Sequence, residues 1–133
     1  MSYAAYTELT IWKECRKLTA EVYRVTRDFP KEELFGLTNQ MRRCAVSIPS
    51  NLAEGCGRNH AKDSLQFFFI SRGSLYELET QIYIASDQNY IPESEVNALL
   101  SQLSICKKLL NGFIKYFEQL KRQTTDNEQP PTK

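Results

Sequence analysis

The side chains that could do chemistry in this sequence are few, and their spacing works against it. There is one histidine, His60. Carboxylate-bridged metal bundles need Glu three residues before His on two helices, and position 57 is glycine. Glu77 and Glu79 are two residues apart, so on a helix they point about 200° away from each other. Ser47, Ser50 and Ser74 have no histidine to activate them. Cys56-Gly57-Arg58 sets a thiol beside a cation near a helix start, which can lower a thiol pKa. That hints at redox sensitivity and falls short of a catalytic constellation. Gly55-Cys56-Gly57 is too short for a phosphate loop, and no Lys-Ser/Thr follows it. The expectation is a protein with no catalytic residue, no metal, no cofactor and no small-molecule substrate.

The remaining candidate is a polar line in the stretch RRCAVSIPSNLAEG: Arg43, Ser47, Asn51 and Glu54. With Ser50 they fall within about 100° of helical arc. Small, uncharged residues in the middle of a helix face let another backbone come close, and Gly73 does the same further on. The line therefore reads as a helix or subunit contact, with a solvated face and a ligand site as the alternatives. Arg43 and Glu77 are candidates for an ion pair, although a hairpin turning near Gly57 sets Arg43 level with about Ser71.

The elements that carry these residues are helical. Ile11, Cys15, Leu18, Val22, Val25 and Phe29 repeat at three and four, the spacing of an amphipathic helix. Pro30 ends it, because the residue before a proline is pushed out of the α region. Met41, Cys44, Ala45, Ile48 and Leu52 form the apolar face of a second helix, with Thr38 as its cap and Gly55 and Gly57 as its stop. Pro49 costs the hydrogen bond to the Ala45 carbonyl, but the periodicity carries through it, which favours a kink over a break. Asn59 is placed to cap a third helix and Pro92 to open a fourth. The expected helices are 10–28, 38–54, 60–88 and 93–122, in one domain over residues 1–123, followed by a disordered polar tail, 124–133. Long helices on short connections predict an all-α, antiparallel up-down-up-down four-helix bundle. The four cysteines lack a CxxC pair, and there is no charged-then-apolar leader and no apolar run near 18 residues. These features point to a cytoplasmic protein away from membranes.

The third helix has too many apolar faces for a lone bundle. Leu65, Phe69, Tyr76 and Tyr83 share one stripe, and Phe68, Leu75, Leu78 and Ile82 a second. Three consecutive phenylalanines, Phe67 to Phe69, cannot all point inward. A helix apolar over most of its circumference is buried from several directions, so self-association is expected, with Phe67, Phe68, Gly73 and Glu77 joining the polar line as contact candidates.

Net charge is +1, so attraction to nucleic acid must come from how charges are arranged. From Glu77 to Glu95 there are five acids and no bases; from Lys107 to Arg122 there are five bases and one acid. In an up-down bundle one end collects Lys13, Arg16, Lys17, Arg58, Lys62, Lys115, Lys121 and Arg122, against Glu14, Glu54, Asp63 and Glu118. That end is the expected contact for RNA or DNA phosphates, with little sequence preference. The competing expectation is a protein-interaction or scaffolding module without nucleic acid.

The stretches IWKECRKLTAEVY (11–23), FPKEELFGLTNQMRRCAVSIPSNLAEG (29–55) and ISRGSLYELETQIYIA (70–85), with the Tyr-Ile-Pro turn at 90–92, also carry a resemblance. They resemble the four-helix-bundle family encoded by intervening sequences of bacterial large-subunit (23S) ribosomal RNA genes, often labelled ribosomal-protein-like. Cys44 and Ser71 stand where that family usually has alanine, a change that keeps size. The resemblance implies a four-helix bundle, a homopentamer, and no established enzymatic activity. It also suggests similarity to the bundle-shaped accessory proteins of diversity-generating retroelements, which hold nucleic acid on a basic surface.

Overall fold

Four α-helices follow one another: α1 (Thr10–Thr26), α2 (Leu37–Cys56), α3 (Ala61–Asp87) and α4 (Glu93–Glu128). Single 3-10 turns, Tyr6–Glu8 and Lys31–Glu33, precede α1 and α2. The computed structural model describes residues 5–128, with side chains to Gln123, and no strand occurs among the described residues. α4 runs to Glu128, so 124–128, expected as the first part of a disordered tail, are helical; 129–133 lie outside the described residues.

Each helix packs on its neighbours in the order α1–α2–α3–α4–α1. All the pairings are antiparallel. Thr19 meets Ala45 and Thr26 meets Arg42; Cys44 meets Ser74 and Ile48 meets Ser71; Glu79 meets Lys107 while Phe68 meets Phe113 and Phe117; Glu14 meets Gln102 and Arg24 meets Glu95. One cluster of buried side chains draws on all four helices, including the periodic positions Ile11 to Phe29 and Met41 to Leu52.

Pro49 lies inside an unbroken α2. Its missing N–H leaves the buried Ala45 carbonyl without its helical donor. The structure answers that carbonyl from another helix: the Thr19 hydroxyl lies 3.0 Å from Ala45 O. The same hydroxyl is 3.0 Å from Cys15 O, but that oxygen already has a donor in the α1 ladder, so Ala45 is where the proton is needed.

The helix ends differ from the sequence expectation. Thr38 does not cap α2; it is buried one residue inside. Glu33 does the work instead, its Oε1 accepting from the Leu37 N–H at 3.1 Å. Its Oε2 accepts from the Tyr90 hydroxyl at 2.8 Å, which ties the α1–α2 connection to the α3–α4 turn and pushes the Tyr90 pKa up. Asn59 is not the cap of α3 either; His60 holds that position without a side-chain bond. Gly55 does not stop α2. It is buried in the last turn, where a Cβ would collide with the Phe68 ring and stand 3.0 Å from the Ser64 carbonyl. Asn89 closes α3 at φ 62°, the left-handed conformation, and Tyr90 N–H then reaches back to Ala85 O at 2.9 Å.

Candidate assembly face and basic surfaces

The polar line of α2 splits between a seam and open water. Ser47 is half-buried, and its hydroxyl and that of Ser74 hydrogen-bond at 2.7 Å across to α3. One turn on, the Ser71 hydroxyl donates to Ile48 O at 2.9 Å, and the Cys44 thiol lies 3.1 Å from Ser74 O. Small hydroxyls and thiols that bond the opposite backbone let α2 and α3 approach closely. Asn51 turns back on its own helix, donating to Ser47 O at 2.8 Å. Arg43 and Glu54 are exposed, and Glu54 pairs with Arg58 at 3.3 Å.

The seam's register also corrects the spacing of Arg43 and Glu77. With Cys44 opposite Ser74, Arg43 is level with Glu77, not Ser71, because α2 and α3 are joined by a longer turn than one pivoting on Gly57. The two border one depression with Gln40 and Ser74. They do not form an ion pair among those of the described residues; both are exposed. Burial pushes the Cys44 thiol up to about 12, and the Glu77 carboxylate adds to the rise.

α3 resolves its three phenylalanines in three ways. Phe68 is fully buried against Phe113 and Phe117, with ring centroids 5.0 and 4.9 Å away, so it is a contact within the chain and not between copies. Phe67 is half-buried beneath the Arg58 guanidinium, 4.5 Å from its ring. Phe69 faces outward. It begins a stripe of Phe69, Ile70, Tyr76, Tyr83 and Ile84, each 36–52% exposed. Gly73 lies within this stripe, exposed, with nothing within 4 Å of where a Cβ would stand. No neighbour in the chain therefore uses the gap it leaves. The sequence pattern flagged Phe69, Tyr76 and Tyr83, while Ile70 and Ile84 join only because α2 and α4 leave that arc uncovered.

The structure divides the expected basic end. Gln102 on α4 donates to Glu14 O at 3.0 Å, and the Cys15 thiol faces Cys106. The start of α1 is thus set against the middle of α4. Lys115 lies roughly 15–20 Å further along α4 at about 1.5 Å per residue. Lys13, Arg16 and Lys17 therefore form one group; Arg58, Lys62, Lys115, Lys121 and Arg122 lie toward the same end of the bundle but further out along its axis, where Arg58 borders a depression with Phe117 and Leu120. The first group is largely answered inside the chain. Lys13 pairs with Glu8 at 3.9 Å, Lys17 with Glu14 at 3.2 Å, and Arg16 lies over Trp12 at 4.9 Å. α1 is too short to reach the second group, a length difference that hydrophobic periodicity alone does not turn into a register.

The Cys56 thiol is raised by burial to about 11, and it sits in the last residue of α2, away from any helix N-terminus. The activating arrangement read from Cys56-Gly57-Arg58 is therefore absent, and Arg58 turns to Glu54 and Phe67 instead. Among the described residues no three His, Cys, Asp or Glu side chains gather to hold a metal ion, and no helix is long and apolar enough to cross a membrane. Sequence reasoning missed Arg42, whose Nε donates to the Thr26 hydroxyl at 2.8 Å while its guanidinium covers Tyr23 at 4.9 Å. Both contacts join residues 16 or more apart in sequence, so local pattern carries no signal for them.

Antiparallel connections, a single shared core and these seams define an all-α four-helix bundle. Residues 7–112 match the family model described as 23S rRNA-intervening sequence protein, and the chain belongs to that family. No curated protein matches the chain.

Proposed function

We propose that the protein is a non-catalytic, self-assembling helical bundle, five copies closing a ring, that associates with RNA or DNA backbones through its cations. The observation that carries the assembly is the outward stripe of α3. Scattered apolar residues on a surface are ordinary, but three aromatics and two isoleucines along one outward arc, with Gly73, Glu77 and Thr80 between them, mark an interaction surface. Gly73 in the middle of that row offers a partner a place to come close. A second copy is the occupant that needs no further component, and repetition around a ring multiplies the modest basic excess of one chain into a focused field. Exposed cations in no ion pair among the described residues, Arg27, Arg43 and Lys62 among them, supply the positive charge that phosphate contact needs.

Sedimentation velocity at about 10 µM protein tests the assembly. The wild-type chain should sediment as an oligomer, and Ile70→Glu with Ile84→Glu should sediment as a folded monomer. A wild-type chain that stays monomeric at that concentration overturns the proposal.

A further inference from the structure

Resting on the nucleic-acid part of that reading, we propose that single-stranded nucleic acid sits in the groove between α1 and α2, and that this groove makes the decisive contacts, not the end of the bundle. The pairing of the arginines is the first observation. Arg24 is tied to Glu21 and Glu95, Arg58 to Glu54, and Arg72 to Asn111. Arg16, Arg27, Arg42 and Arg43 are in no ion pair among the described residues, and neither is Arg122 on α4. Only the first four lie close in the fold, on α1, at its C-cap and on α2. Arg16, Tyr23 and Arg27 are seven and four residues apart, which puts them within about 40° of one another on α1.

The second observation is the shape and lining between the two helices. A shallow depression of about 580 Å³ is bordered by Tyr23, Arg42, Arg43, Asn39, Ser50 and Asn51. The lining holds two arginines, hydroxyls and amides, and no carboxylate. It has positive charge with hydrogen-bonding groups, and the carboxylate level with Arg43, Glu77, borders the adjoining depression and not this one.

The third observation is that Arg42 is already fixed. Thr26 is 2% exposed and donates to Val22 O at 2.8 Å, so its oxygen is a rigid acceptor for Arg42 Nε. That bond holds the guanidinium above Tyr23, its carbon 4.9 Å from the ring centroid. Its terminal N–H groups are in no hydrogen bond among the described residues. A planar guanidinium on an aromatic ring is a deck on which a base can stack, and single-strand binders use such decks together with cations that follow the backbone. Trp12 with Arg16 over it makes a second deck on α1, 11 residues earlier and so about 16 Å away along nearly the same face. A peptide carboxylate would use the charges of this groove but not the decks, so nucleic acid fits more of what is there.

The groove also stays open if copies meet through α3. α1 packs on α2 and α4, and α3 packs on those same two, so the outward stripe of α3 is diagonal to α1.

The test is fluorescence anisotropy of a labelled 12-nucleotide single-stranded pyrimidine RNA with the full chain, from 50 to 200 mM salt. Arg27→Gln with Arg43→Gln removes two exposed cations and no internal bond. It should weaken binding at least tenfold and reduce the slope of log K against log salt by about 1.4. Tyr23→Ala should weaken binding five- to hundredfold. Lys115→Gln with Arg122→Gln should change it less than threefold. Circular dichroism melts confirm that each variant is folded. If the α4 pair loses binding and the groove variants keep it, the groove is wrong while nucleic-acid binding stands. If polyglutamate displaces the RNA at equal concentration, the groove is a peptide site and the inference falls. If the wild-type chain does not bind RNA at 50 mM salt, the nucleic-acid reading falls with it.

Discussion

α3 carries two faces of opposite construction on one helix. Toward α2 it presents Ser71, Ser74 and the Phe68 ring, and its polar groups there meet α2: Ser71 on Ile48 O, Ser74 on Ser47, with Gly55 hollowed to admit Phe68. Away from the bundle it presents Phe69, Ile70, Tyr76, Tyr83 and Ile84 to water. The first face completes the fold of a single chain. The second meets its own chain mainly through cations, Arg72 over Phe69 at 5.2 Å and Lys107 over Tyr76 at 4.8 Å, and its large side chains are where a partner gains most from burial. The difference teaches that hydrophobicity on a helix and burial within the chain are separate properties. What separates them here is whether small, hydrogen-bonding residues accompany the large ones.

The strongest way to break the inner face is Phe68→Ala. It empties a site closed by Gly55, Phe113 and Phe117, and should cost about 3–5 kcal/mol in urea unfolding at one fixed protein concentration. A cost below about 1 kcal/mol would mean the seam does not depend on that ring. Next comes the hydroxyl that serves α2 at its proline. Thr19→Val leaves the buried Ala45 carbonyl unanswered and should cost about 1–3 kcal/mol. In a Pro49→Ala background the restored N–H serves that carbonyl, so the same change should cost less than about 0.5 kcal/mol. Equal costs in both backgrounds would show that Thr19 acts through something else. The smallest effect belongs to the outer face. With Ile70→Glu and Ile84→Glu present to keep the chain monomeric, Tyr76→Ser should move stability by less than about 0.5 kcal/mol. A larger loss would place Tyr76 in the fold of the single chain and blur the contrast between the faces.

The bundle itself was legible because its signal is periodic. Ile11, Cys15, Leu18, Val22 and Val25 are all buried, as are Met41, Cys44, Ala45, Ile48 and Leu52. The continuity of α2 through Pro49 followed from the same spacing. Helix ends were less legible. Glu33 displaced Thr38 as the cap because a carboxylate four residues upstream can fold back onto the first N–H, which a search for a capping residue next to the helix overlooks. Gly55 looked like a stop and is a seat for Phe68, a role set by a residue 13 positions away. The expected basic end is drawn out along the bundle axis because helices of 17 and 36 residues cannot share both ends. Arg42 was invisible for a related reason: Thr26 and Tyr23 reach it only after α1 and α2 have packed.

The placement of the outward stripe on a single helix has a consequence for symmetry. A patch that meets its own copy builds two-fold pairs, whereas a ring with an odd number of members requires each copy to offer two different surfaces. In a five-membered ring the α3 stripe would therefore face some other part of its neighbour. Leu34 and Phe35, 52% and 90% exposed, are large apolar groups on a different element, the connection between α1 and α2. Two unlike surfaces on one chain permit an odd ring, and a chain with the α3 stripe alone would be confined to even numbers.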